Sequence, residues 1–220
     1  MNNGYKAKVV FADELKYIKS QKIKDYVVAC FHKLTPEYFW DAPASSSGKY
    51  HPAVSNKKHG LVNHTKLCVW WGRKLAQTYN CEKNIDEIVA SLLLHDLQKF
   101  GKEMSLYDGK PTLAEYTTTH GPMLAIQLEK ILRDMYDVDE MEDEERQSLF
   151  AISSSVCLHM GRWTNEDLSK AWEVTGWKNN TVVDVVHMAD YCASRQADSK
   201  MEELDNYEFP YFEENKNGMD

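Results

Sequence analysis

The stretch LLLHDLQKFG, residues 92–101, sets a histidine and an aspartate at the end of an apolar run, with a lysine three residues after the aspartate. An ionised carboxylate inside an apolar helix costs several kcal/mol unless it is paired or coordinated. Any fold of this chain must therefore give Asp96 a partner. The same demand recurs at Asp190, embedded in VVDVVHMADYCASR. Histidines stand in comparable places. His64 lies in HGLVNHTKLCVWW, where Leu61, Cys68 and Trp71 share its helical face. His95 precedes Asp96, His120 opens a helical stretch and His159 closes one. A lone histidine on an apolar face is an ordinary hydrogen-bonded core residue. Two buried carboxylates with four such histidines are explained most economically by a shared cation, that is, by metal.

The donor set constrains the ion. Imidazole-rich sites with some carboxylate suit Fe, Mn, Zn, Co or Ni better than calcium or hydrated magnesium. One divalent ion would take His64, His95, Asp96 and Asp190. A second would take His120 and His159, with Asp96 bridging. Two transition-metal ions about 3.5–4 Å apart polarise a phosphoryl oxygen and turn a bound water into hydroxide near neutral pH. Lys99 then has a role. If the helix runs on past Asp96, Lys99 shares the face of His95 and Asp96 and offers a point charge to a phosphate oxygen.

Composition narrows the partners. With 34 acidic against 26 basic residues the formal net charge is −8, a poor basis for binding along a nucleic acid backbone. A small anionic ligand remains compatible if metals or a local basic cluster supply the positive charge. No apolar run approaches the ~20 residues that span a bilayer, and the start lacks the apolar core of a signal peptide. Cys30, Cys68, Cys81, Cys157 and Cys192 form an odd set without a CxxC pair. Buried free thiols in a reducing cytoplasm are the expectation.

Apolar spacing predicts helices over 12–33, 59–79, 85–99, from Thr119 onward, and over about 144–160, 164–174 and 180–197. TPEYFWDAPASSSGKYHPAVSNK, 35–57, reads as a long loop, and a loop of this length in a compact domain is either functional or disordered. Asp108-Gly109 signals a short β-hairpin near 103–118. The acidic run 137–145 reads as a solvated loop and helix start. The expected fold is all-α: an N-terminal helical segment, 1–34, packed on a domain of 35–197, then an extended tail, 198–220.

The ordered set His64, His95-Asp96, His120, His159, Asp190 resembles the HD-domain superfamily of metal-dependent phosphohydrolases. Its spacings are 31, 24, 39 and 31 residues (64 to 95, 96 to 120, 120 to 159, 159 to 190). KYHPAVSNKKHGLVNHT is similar to that family's H-x-GGL-x-x-HT segment, and VVHMADYCASR to its final-aspartate helix. The likeness covers roughly residues 35–197. It implies an HD-type helical bundle, a dinuclear centre on those six residues, and hydrolysis of a small phosphate ester, such as a nucleotide, by a metal-bound hydroxide. Asp96 and Lys99 would be the catalytic pair, with Lys49, His51, His59 and Arg195 facing the substrate. A polar surface loop at 45–59 and a helix-capping Arg195 are the plain alternatives. For His187, hydrogen bonding to a ligand, core packing and direct ligation all stay open. Two other functions fit the same residues: a di-iron oxygenase of HD type, and a non-catalytic nucleotide-binding module.

Overall fold

The computed structural model describes residues 2–45, 48–101, 106–107, 110–111, 119–164, 180–195 and 199–212. The fold is all-α. Its helices are α1 (Asn3–Val10), α2 (Ala12–Leu15), α3 (Gln21–Leu34), α4 (Gly60–Thr78), α5 (Ile85–Leu94), α6 (His120–Met135), α7 (Asp143–Leu158), α8 (Thr181–Arg195) and α9 (Ser199–Asp205). Two short strands, β1 (Leu106–Tyr107) and β2 (Lys110–Pro111), pair antiparallel with Leu106 opposite Pro111 and Tyr107 opposite Lys110. The pairing falls within 103–118, where a hairpin is expected; Asp108 and Gly109 themselves lie outside the described residues. The helix expected over 164–174 lies, from 165 on, outside the described residues.

Local chemistry accounts for the boundaries. Ser20 caps α3 by accepting from the Ile23 amide, and Ile23, Tyr26, Val27, Cys30 and Phe31 form its buried stripe. The helical pattern expected from residue 12 is broken between Leu15 and Gln21. There, Asp86 accepts from the Lys19 and Ser20 amides and ties the turn to the start of α5. The acidic run delivers Asp143, Glu144 and Glu145 to the first turn of α7, where the helix dipole favours negative charge.

α5 explains the architecture. Ile88 through Leu94 are all buried, and a helix apolar on every side must be the centre of its bundle. It packs against α3, α4, α7 and α8. Gly72 of α4 makes room for α5, since a Cβ there would run into the Leu92 side chain. The main cluster of buried side chains runs from Ala7 to Leu204, so α1 and α3 share one core with the helices that follow. Lys66 of α4 reaches back to the Glu14 carboxylate at 2.9 Å and the Val10 carbonyl at 2.6 Å, tying α1 and α2 to this core.

The long loop is tied down at both ends by single turns, Glu37–Trp40 and Ala53–Ser55. The C-terminal segment differs from the extended tail expected. Ser199–Asp205 is helical because Leu204 finds the core, and Lys57 holds Asp205 at 2.6 Å. Beyond it Phe209 stacks on His59, with ring centroids 4.0 Å apart. No helix among the described residues is long and apolar enough to cross a membrane.

Candidate metal centre

The six sequence-selected residues converge on one buried point, and most of them stand at helix ends. His95 ends α5 and His159 ends α7; Asp96 follows at once, and His120 is the first residue of α6. His64 projects from the second turn of α4 and Asp190 from the middle of α8. His64, His95, Asp96, His120 and His159 are at most 2 % exposed.

Each helix end orients its own histidine. The last carbonyls of a helix have no partner within it. His95 Nδ1 donates to the Leu92 carbonyl at 2.7 Å, and His159 Nδ1 donates to the Val156 carbonyl at the same distance. That bond fixes the tautomer and leaves the Nε2 lone pair of each ring pointing inward, the form in which imidazole binds metal. A backbone device brings α6 in. A Cβ on Gly121 would lie 2.8 Å from the Val156 carbonyl oxygen, so only glycine lets His120 approach the end of α7. The result is His120 Nε2 at 3.1 Å from His159 Nε2.

Asp96 divides the cluster in two. Its Oδ1 faces His120 at 3.1 Å and His159 at 3.7 Å. Its Oδ2 faces His64 and His95, each at 3.4 Å. Asp190 Oδ1 completes the second group, 3.0 Å from His64 Nε2. The donors thus form two sets, Asp96-His120-His159 and His64-His95-Asp190, and Cys68 joins the latter.

The electrostatics favour neutral imidazoles among ionised carboxylates. Burial holds His95 below its ordinary range and drives His159 down to about 3, with His120 and His95 pushing His159 further. Burial would raise the Asp96 carboxyl, but Lys99, His95 and His120 outweigh it and hold the group well below the carboxylate range. Asp190 is likewise lowered against its burial, chiefly by the bond to His64. Two carboxylates against one lysine leave negative charge, and inward lone pairs at His95 and His159 have no proton of their own to share. A divalent cation would satisfy both, so the donors present fit metal in the manner of a nitrogen- and carboxylate-rich site.

An open cavity of about 400 Å³ leads to the cluster, lined among others by His51, Lys99, His120, His187, Asp190 and Arg195. Lys99 is only 17 % exposed and donates to Asp96 Oδ2 at 2.6 Å. It gets there by a different route from the one expected. α5 stops at Leu94, and tight turns follow, with the Lys99 amide bonded to the Asp96 carbonyl. His51 packs edge-on to His64 with ring centroids 4.9 Å apart, and burial drives its imidazole down to about 2. Its Nδ1 is buried with no partner among the described residues. Arg195 lies over the Tyr191 ring at 4.4 Å and the Tyr50 ring at 5.6 Å, at the cavity's edge.

Two expected substrate contacts sit elsewhere. Lys49 lies over Tyr50 in an adjoining pocket that shares His51 and Arg195. His59 does not line the cavity: its Nδ1 donates to the Trp40 carbonyl at 2.6 Å and its face is covered by Phe209. It takes the left-handed backbone at φ 63° just before α4. His187 donates from Nδ1 to the His159 carbonyl at 2.7 Å, so of the roles left open for it the geometry supports hydrogen bonding beside the cluster. Sequence reasoning missed Cys68 as a donor, although its four-residue spacing from His64 was the available signal. Cavity size alone would have misled. A larger cleft of about 590 Å³, lined by Lys22, Asp86, Glu87 and Glu145, contains none of the cluster residues.

Comparison with family models, with curated proteins and with solved structures finds no match for this chain.

Proposed function

We propose that the chain is a metal-dependent phosphohydrolase of HD type, acting on a nucleotide or another small phosphate ester. The observation that carries the reading is the division of Asp96, whose two oxygens face separate histidine pairs. A carboxylate so placed suits a bridge between two divalent transition-metal ions, one on His64, His95 and Asp190, the other on His120 and His159. Such a pair supplies Lewis acidity toward a phosphoryl oxygen and a water activated near neutral pH.

The remaining work falls to the chain's own residues. Burial opposes the charge on Lys99, but Asp96 and Asp190 more than offset it, so the ammonium stays protonated across the working range. From the cavity wall it can turn a proton toward a phosphate oxygen whose charge grows in the transition state. Arg195 adds a second cation at the edge of the same cavity. His51, held neutral, lines the cavity without adding charge. The negative surface argues for a small substrate rather than a long nucleic acid.

The test is a screen of p-nitrophenyl phosphate, nucleoside monophosphates and cyclic nucleotides against protein loaded with Mn, Co, Fe, Zn or Ni, with oxygen uptake followed in parallel. Chelator-sensitive phosphate or phosphomonoester release that disappears in Asp190→Ala is the expected result. Oxygen consumption without phosphate release would favour the oxygenase, and ligand binding without turnover the binding module.

A further inference from the structure

Cys68 stands one helical turn after His64 on α4, fully buried, with its sulfur turned to the cluster. Its Sγ lies 3.4 Å from His64 Nε2 and 3.8 Å from His95 Nε2. We infer that Cys68 is a ligand of the ion held by His64, His95 and Asp190, which makes that position a mixed thiolate, imidazole and carboxylate site. The inference rests on the metal reading above and assigns the chemistry of one half of the centre.

The distances fit a coordination polyhedron. An ion with metal–sulfur near 2.3 Å and metal–nitrogen near 2.0–2.1 Å at tetrahedral angles separates sulfur from nitrogen by about 3.6 Å, and two nitrogens by about 3.4 Å. The two sulfur–nitrogen separations bracket the first value, and His64 Nε2 to His95 Nε2 equals the second at 3.4 Å. Asp190 Oδ1 belongs to the same group, whose four donor atoms are all within 4.8 Å of one another, and Asp96 Oδ2 stands 3.4 Å from both His64 and His95. Of the two donor clusters among the described residues, only this one contains sulfur.

Consequences follow for metal choice. A thiolate is a soft ligand and favours zinc, cobalt or iron over manganese or magnesium. The other cluster, Asp96, His120 and His159, offers nitrogen and oxygen alone, so the two positions differ in kind. On binding, sulfur would donate an electron pair to the ion and release its proton to solvent, with no electron transferred.

The experiment is cobalt(II) and zinc loading of the full chain. A sulfur-to-cobalt charge-transfer band in the near ultraviolet, and one zinc–sulfur distance of about 2.3 Å by X-ray absorption, are expected. Both should be absent in Cys68→Ala and retained in Cys192→Ala. Zinc affinity at one position should fall more than about 100-fold in Cys68→Ala, beyond the loss of an outer hydrogen-bonding partner. Bound cobalt with d–d absorption but no charge-transfer band overturns the assignment and leaves the metal reading standing. Failure to bind cobalt or zinc at all overturns both. The wild-type spectra decide the point even if Cys68→Ala does not fold.

Discussion

The Lys99 ammonium donates to Oδ2 of Asp96 at 2.6 Å, so the lysine that spacing assigns to a phosphate is also the counter-ion of the central carboxylate. Asp96 is 1 % exposed, and removing one member of a buried pair leaves an uncompensated charge. Lys99→Met should therefore destabilise protein stripped of metal by about 3 kcal/mol in urea unfolding. Transition metal should restore most of that loss, because it neutralises the same oxygen. Turnover should fall by roughly 10²–10³, the scale of one lost transition-state donor, with metal content unchanged. Equal destabilisation with and without metal would separate Lys99 from the centre.

Gly121 predicts a half-empty centre. Its missing Cβ leaves room for the Val156 and Cys157 carbonyl oxygens, which would stand 2.8 and 2.9 Å away. Gly121→Ala must push the start of α6 off α7 and carry His120 with it. Metal analysis should show one ion lost and the position at His64 and His95 kept. Retention of both ions would mean that α6 can yield without moving His120.

The stability of stripped protein should depend on acid in a stated sense. His159 sits at about 3 in the fold against about 6.5 for a free histidine, so between those values the unfolded chain binds the extra proton. Its contribution is fully present above pH ~6.5 and is lost as pH falls toward ~3. Asp190, lowered in the fold, adds a loss at still lower pH, below the free carboxylate value near ~3.9. Urea titrations from pH 7 to 4 should show stability falling, and His159→Gln should flatten the slope by about 1.4 kcal/mol per pH unit. An unchanged slope in that variant would contradict a neutral, buried His159.

His51 and His59 should separate function from packing. His51→Ala removes a cavity-facing imidazole and should reduce substrate affinity about 10-fold or more with little change in metal content. His59→Ala removes the stacking partner of Phe209 and the bond to the Trp40 carbonyl, and should cost about 1–2 kcal/mol of stability while leaving turnover intact. The reverse pattern in steady-state kinetics would reinstate the substrate role that the sequence reading gives His59.

Much of this was legible because the polar residues break strong patterns. His64, Asp96 and Asp190 interrupt apolar helical faces, and burying them demands an explanation that only convergence provides. Helix extents were legible too: the expected spans 59–79 and about 144–160 lie close to α4, Gly60–Thr78, and α7, Asp143–Leu158. Four things were not legible. The stop of α5 at Leu94 comes five residues before the end of the span 85–99 that apolar spacing predicts, since Leu97 keeps the helical spacing while tight turns carry the chain. Lys99 reads as a free cation because spacing shows where it points and not what holds it. Cys68 passes for a buried thiol, since cysteine is as apolar as its neighbours until two imidazoles are seen beside its sulfur. The helix Ser199–Asp205 depends on Leu204 meeting a core assembled from distant segments.

The most direct test of the central claim is metal stoichiometry by mass spectrometry on native protein, wild type beside Asp96→Ala, purified without chelator and then reconstituted. About two transition-metal ions per wild-type chain and at most one in the variant are expected, because the two oxygens of Asp96 face both halves of the cluster. No bound metal in wild-type protein after reconstitution, or two ions retained without Asp96, would contradict that claim.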